Sequence, residues 1–235
     1  MQGYWKTYKK REINPSPTRY FKHRGQKNAK VICVAFLALL NLNLFSQNTY
    51  KKKWNSNDFD FVFLKLDFTS NITINKSISN EIYVKYKQEG EFKENIILKS
   101  TVDNRELKIK EIISPMVKKY NDKLSVHKII ANTIEVGVPI NFKTIITSSS
   151  SNIKIMSSFS DISIKIDEGK INLNQKIIKG KIKSISADVF CVNPLIKLLV
   201  SSKTGVVSGL YNNSYMPDLV IKTLRGNVSK ECLIN

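Results

Sequence analysis

The carboxylates Asp161, Asp167, Glu168 and Asp188 are the groups in this chain best suited by type to do chemistry. Two carboxylates at a fixed separation could cleave a glycosidic bond, and several converging oxygens could hold calcium. Their spacing favours neither use. Each lies singly in a turn-like stretch, where an aspartate commonly serves as an acceptor for nearby backbone N–H groups. The only histidines are His23 and His127, and the three cysteines, Cys33, Cys191 and Cys232, form no C-x-x-C pair. Neither a structural zinc site nor a histidine-based triad is therefore expected. His127 follows Leu124-Ser-Val126 and reads as a structural histidine, while Ser148 to Ser151 lacks a G-x-S-x-G elbow and reads as a loop. The residues assign no catalytic, cofactor-binding or metal-ligating role, and no enzyme activity is expected.

The elements around these residues are strands. From Phe59 onward apolar and polar residues alternate, as in Ile72-Thr-Ile74, Ile82-Tyr-Val84-Lys-Tyr86, Leu107-Lys-Ile109 and Ile134-Glu-Val136-Gly-Val138. Period-two alternation of largely β-branched residues is the signature of half-buried strands, so the chain is expected to be all-β. Regularity peaks between Ile145 and Val189: strands start at Ile153, Ile162 and Ile171, nine residues apart, with Ile182 and Val189 following. Turn formers separate them: Ser148 to Asn152, Ser160-Asp161, Glu168-Gly169, Lys179-Gly180 and Ala187-Asp188. Such spacing suits a meander, a sandwich or a solenoid-like stack, a β-helix or β-roll; the lack of Asn-Gly and Asp-Gly hairpin pairs here favours the stack. Its Ile and Leu residues would form an inner ladder, with Lys, Ser and Asn outside. Trp54, Phe59, Phe61, Phe63 and Phe68 crowd the start of this region. Alternate Phe at 59, 61 and 63 would share one strand face, and capping the core is the commoner use of such a set.

Residues 31–46 are uncharged, predominantly apolar, and preceded by Lys27 and Lys30, the order of a secretory signal. The run is short for a bilayer span of about 20 residues, and a cut after Ser46 would leave Gln47 at the mature terminus. The expected organisation is thus a basic extension and signal peptide or signal anchor with a leader helix over 1–46, a linker over 47–58 and the β-domain over 59–235. Export would place the domain in the periplasm, at the outer surface or outside the cell. There Cys191 and Cys232 could pair or remain two buried thiols. Of the formal charge of +19, the first 47 residues supply nine Lys/Arg against Glu12. The remaining positive charge is spread along alternating strands without the aromatic-flanked Arg clusters that nucleic-acid grooves favour, so nucleic acid is not expected as a partner. Membrane attachment would come only through an uncleaved leader.

The run Glu135-Val-Gly-Val-Pro139, followed by Ser151-Asn-Ile153-Lys-Ile155, Ser160-Asp-Ile162-Ser-Ile164 and Gly169-Lys-Ile171-Asn-Leu173, resembles the bacterial putative-adhesin domain family related to the head GIN domains. The closing Ile221-Lys-Thr223-Leu-Arg-Gly226-Asn-Val228 is similar to that family's terminal unit, and the leader ending Phe45-Ser46-Gln47 resembles exported proteins of the Bacteroidetes type. The resemblance covers roughly residues 60–235. It implies a solenoid-like β-fold at the cell envelope or surface. The repeat glycine of the pattern is replaced by Ser151 and Ser160 and kept at Gly169, Gly180, Gly205 and Gly226. The expected function is a non-enzymatic exported binding or structural domain that meets an acidic glycan or envelope surface through a Lys-, Ser- and Asn-rich strand face. The alternatives are a β-helical polysaccharide lyase or hydrolase and a membrane-anchored sensory or scaffold domain.

Overall fold

A computed structural model of the chain describes residues 48–89, 96–115, 131–175, 178–192, 196–209 and 215–230. The leader with Cys33 and His23, and also His127 and Cys232, lie outside the described residues. Among the described residues the structure is all-β, as the alternation predicts, with one three-residue 3-10 turn at Ser56–Asp58.

Two long strands organise the sheet, β8 (Lys143–Ile155) and β9 (Phe159–Leu173). Each bends midway. The first half of β8 pairs in parallel with β2 (Phe61–Lys65) and with the first half of β9, and its second half pairs with β3 (Thr69–Lys76) and the second half of β9. Two wings result. β10 (Ile178–Ser184), β14 (Leu219–Thr223) and β12 (Leu198–Ser202) extend the first wing beyond β9, while β11 (Asp188–Cys191), β15 (Val228–Lys230) and β13 (Val207–Ser208) extend the second in the same order. On the far side, β6 (Glu106–Ile113) joins β2 and carries β5 (Ile96–Asp103) antiparallel. Likewise β7 (Asn132–Val138) joins β3 and carries β4 (Glu81–Gln88) and β1 (Asn48–Asn55).

The sheet is open, and the topology does not establish the solenoid-like stack that the spacing suggests. A solenoid winds its rungs in chain order. Here β2 and β3 lie against β8, not against the strand that follows them, and the rung of β14 and β15 sits between that of β10 and β11 and that of β12 and β13. The expected linker over 47–58 is also corrected. Residues 48–55 form β1, in continuous register with β4 from Asn48 opposite Gln88 to Asn55 opposite Glu81. Trp54 packs against the core from this strand.

Register explains the nine-residue spacing. Ile153 pairs with Ile171 and Ile171 with Val189, so the structural repeat is eighteen residues and successive nine-residue units alternate between the wings. Inward rows run across each wing. Ile109, Leu64, Ile146, Ile164, Ile182 and Ile221 line up on the first, and Ile134, Ile72, Ile153, Ile171, Val189 and Val228 on the second. All are buried in one hydrophobic cluster shared by both wings. Each contributes about 1.5–3 kcal/mol by leaving water.

The bend has a simple sequence rule. In β8 the inward residues are Thr144, Ile146 and Ser148, then, after two consecutive exposed residues, Ser151, Ile153 and Ile155. The doubled outward step reverses the parity and turns the corner, and β9 repeats it with Asp167 and Glu168 outside. The resulting column of small residues, Ser151, Gly169, Ala187, Gly226 and Gly205, brings adjacent backbones together, and a hydroxyl three residues earlier often secures it. Gly226 N–H donates to Thr223 Oγ1 and Gly205 N–H to Ser202 Oγ, both at 2.9 Å. Ser148 and Ser151 hydroxyls meet at 2.6 Å, and Ser151 donates to the Thr69 carbonyl at 2.5 Å. The stretch expected to be a loop is therefore a corner inside a strand, with Ser148 and Ser151 buried and Ser149 and Ser150 exposed. Gly180 and Ser160 do not belong to this column: Gly180 pairs with Ile162 at a register shift near the start of β10.

Two buried polar groups join or interrupt this core. Glu111, on β6 of the first wing, accepts from Phe68 N–H, Thr69 Oγ1 and Tyr86 OH, each at 2.7 Å, and so ties β6 to the second wing. Asn132 is fully buried, and neither its amide oxygen nor its nitrogen has a partner in the structure. An unpaired buried amide costs about 1–3 kcal/mol. Replacing Asn132 with Val is therefore expected to raise the denaturation midpoint in urea, and a lowered midpoint would contradict this account.

Candidate functional site: the two outer strand faces

The acids singled out by type do not converge. Asp161 is exposed near the start of β9, Asp167 and Glu168 are the two outward residues of its corner, and Asp188 accepts from the Asn227 backbone N–H at 2.8 Å. That last contact is the backbone-acceptor role expected of a turn aspartate. Among the described residues no three His, Cys, Asp or Glu side chains gather closely enough to hold a metal ion. Cys191 is a buried free thiol, and burial pushes its pKa up to about 12. At pH 8 its thiolate fraction is then about one in ten thousand. Cys191 is expected to resist a maleimide in the folded chain and to react once urea is added; labelling at equal rates in both states would show that the site is open.

The aromatic set divides. Phe59 is buried in the core, but Phe61 and Phe63 stand on the face opposite the buried Val62 and Leu64 and point outward. The expectation that 59, 61 and 63 cap the core from one face fails because Phe59 precedes β2 and the interior accepts Val62 and Leu64 instead. Lys143 lies over the Phe61 ring at 5.4 Å and Lys110 over the Phe63 ring at 5.8 Å, a favourable arrangement of cation and ring quadrupole. These rings therefore form part of a basic outer surface.

On the first wing that surface is built by register. Lys99 pairs with Lys110, Lys110 with Lys65, Lys65 with Thr147, Thr147 with Lys165, Lys165 with Lys183 and Lys183 with Lys222. Paired residues share a face of the sheet, so six lysines and one threonine stand in a single cross-strand row. Two residues back along the strands the parallel row reads Lys108, Phe63, Ile145, Ser163, Lys181 and Val220, with Phe63 and Ile145 adjacent and partly exposed.

The outer face of the second wing carries a groove of about 410 Å³ whose walls include Lys85, Thr133, Glu135, Asn152 and Lys154. Glu135 is its organising group. It accepts from Tyr83 OH at 2.9 Å, Asn75 Nδ2 at 3.0 Å and Lys85 Nζ at 3.2 Å. Partial burial opposes its ionisation, but these donors and the Lys85 charge outweigh it and hold the carboxyl below the usual carboxylate range. The groove thus presents amides, hydroxyls and ammonium groups around a carboxylate already committed to its own partners. Nothing in the sequence near Glu135 signals this arrangement, since its three partners come from β3 and β4.

No family model and no curated protein matches the chain. Solved structures do. A putative cell adhesion protein from Clostridium sporogenes aligns at 16% identity over 79% of this chain and 100% of its own, with a TM-score of 0.53. Putative adhesins from Bacteroides fragilis and Parabacteroides merdae align at 13% and 11% identity over 78% and 79% of this chain, each over 97% of its own, with TM-scores of 0.36 and 0.31. At these identities the likeness to the clostridial protein is one of fold. These structures are described as a putative cell adhesion protein and putative adhesins, and a further match, from Parabacteroides distasonis, as a putative lipid binding protein.

Proposed function

We propose that this chain is a non-enzymatic, exported binding module of the cell surface or envelope, adhesin-like in its mode of action. The observation that carries this reading is the pair of broad outer faces, on which in-register Lys, Asn, Ser and Thr side chains are repeated from strand to strand. Many weak polar contacts along such a face add by multivalency. The fold shared with a protein described as a putative cell adhesion protein and the signal-like leader support the same reading. The anchored-scaffold alternative would retain the basic extension over 1–30.

Fractionation of the native cells with mapping of the protein's N-terminus tests the reading. The module should be recovered outside the cytosol, beginning near Gln47, and should bind isolated envelopes more strongly at low than at high ionic strength. Intact chain confined to the cytosol would overturn the proposal.

A further inference from the structure

The lysine row on the first wing is an unusual thing for a sheet to carry. Like charges directly opposite one another on neighbouring strands are destabilising, yet five of the seven positions from Lys110 to Ser201 are lysine: Lys110, Lys65, Lys165, Lys183 and Lys222, with Lys99 continuing the row on β5. At a strand separation of about 4.8 Å, Lys99 to Lys222 spans about 29 Å. Among the described residues only Lys65 of the six has a carboxylate within 4.0 Å, namely Asp67 at 3.6 Å. Asp67 and Asp167 stand at the corner just beyond the row and leave the remaining ammonium groups without acidic partners. The outer face of the second wing, by contrast, pairs its Lys85 with Glu135 at 3.2 Å.

We propose that this row is a binding site for a linear acidic polysaccharide lying across the strands of the first wing, with its carboxylate or sulfate groups against the lysines. The inference rests on the binding-module reading above and names the site and the ligand class. Three features favour a glycan. The row runs in register across the strands on an open face, so it suits an extended polymer and offers no enclosing pocket. Its lysines recur at the strand spacing of about 4.8 Å, interrupted once at Thr147, and that spacing is close to the length of one sugar ring in an extended polysaccharide. The adjoining row places the partly exposed Phe63 next to Ile145 in register, a small apolar patch beside the lysines that suits the apolar face of a pyranose. A single strand of nucleic acid would call for a succession of aromatic platforms.

The test uses the full chain and two triple variants of equal charge change. One removes the row's charge, Lys165→Gln, Lys183→Gln and Lys222→Gln; the other removes the same charge from exposed lysines outside both the row and the groove, Lys76→Gln, Lys203→Gln and Lys230→Gln. Binding is measured to polygalacturonate, to neutral dextran, to single-stranded DNA and to vesicles containing phosphatidylglycerol. The unmodified chain should bind polygalacturonate in preference to all three others, and the row variant should bind it roughly tenfold more weakly or worse, with the control changed little. The row variant should also melt at the same temperature or higher, since it loses like-charge repulsion, so lost binding cannot be assigned to misfolding. Equal losses in both variants would reduce the effect to net charge and overturn the site. Equal or tighter binding to DNA or vesicles would overturn the ligand class. Failure to bind any polyanion, in a chain that still binds envelopes, would sink this inference and leave the binding-module reading standing.

Discussion

Glu111→Ala should lower the stability of the domain by about 3–5 kcal/mol, because it leaves two buried donors and one partly buried donor without an acceptor, each worth about 1–3 kcal/mol. The donors are Phe68 N–H, Thr69 Oγ1 and Tyr86 OH. They come from the second wing or the turn leading into it, whereas Glu111 belongs to the first, so the substitution cuts a polar tie between the wings at the end where β6 and β7 flank the parallel strands. Glu111→Gln should fall between, since the amide keeps one acceptor oxygen but presents N–H groups to a donor. Urea denaturation with a linear extrapolation reads both; a loss under about 1 kcal/mol for the alanine variant would show that the three donors find other partners.

The same cluster gives the stability a pH dependence with a definite sign. Burial first, then the charge of the Glu111 carboxylate and its hydrogen bond, push the Tyr86 phenol well above its ordinary range. In the unfolded chain a tyrosine ionises near about pH 10. Above that pH the unfolded state binds fewer protons than the folded state, so the contribution of Tyr86 is complete below about pH 10 and is lost progressively as pH rises further. Tyr86→Phe should remove that part of the alkaline loss, at the cost of one hydrogen bond to Glu111.

Gly169→Ala should cost about 2–4 kcal/mol, from backbone strain and from overpacking at the corner. Gly169 has φ +121°, where a side chain is strained whatever the space around it, and an added Cβ would lie 2.0 Å from the Ser151 carbonyl oxygen. Ser151 occupies the same corner column without a positive φ, which is why serine is accepted there and its hydroxyl can be used to hold the bend. Thermal melting of Gly169→Ala beside Ser151→Gly compares an added side chain at the corner with the loss of its hydroxyl. The first should melt markedly lower, whereas the second loses the hydrogen bonds of the hydroxyl without introducing strain. An unchanged midpoint for Gly169→Ala would mean that the corner backbone can relax.

These corners also mark how far the sequence could be read. Alternation at Ile72, Ile82, Leu107, Ile134, Ile153, Ile162 and Ile171 is a local property, and it identified strands that the structure contains. The doubled outward step at Ser149-Ser150 and at Asp167-Glu168 is local too, but it reads as a turn between two strands unless the bend of one long strand is considered. Which strands become neighbours is not local. Lys65 and Lys165 enter one row only because Thr147 lies between them in register, a hundred residues of chain folding back to make that match. The lysine row was therefore visible as composition and invisible as a site. The Phe61 and Phe63 error has a similar origin: alternation separates the two faces of β2, but it does not say which face the core takes when both are apolar. Glu135 and Glu111 were missed because their partners lie on other strands and become neighbours only through pairing and packing.

The central claim is that these strand faces work outside the cytoplasm as binding surfaces. The most direct measurement is lysine modification by an amine reagent that does not cross the inner membrane, applied to native cells with a permeabilised outer membrane and read by peptide mapping. Lys165, Lys183 and Lys222 should be modified while cytosolic proteins are not, and polygalacturonate added beforehand should protect them. Modification of these lysines only after the inner membrane is broken would contradict the claim.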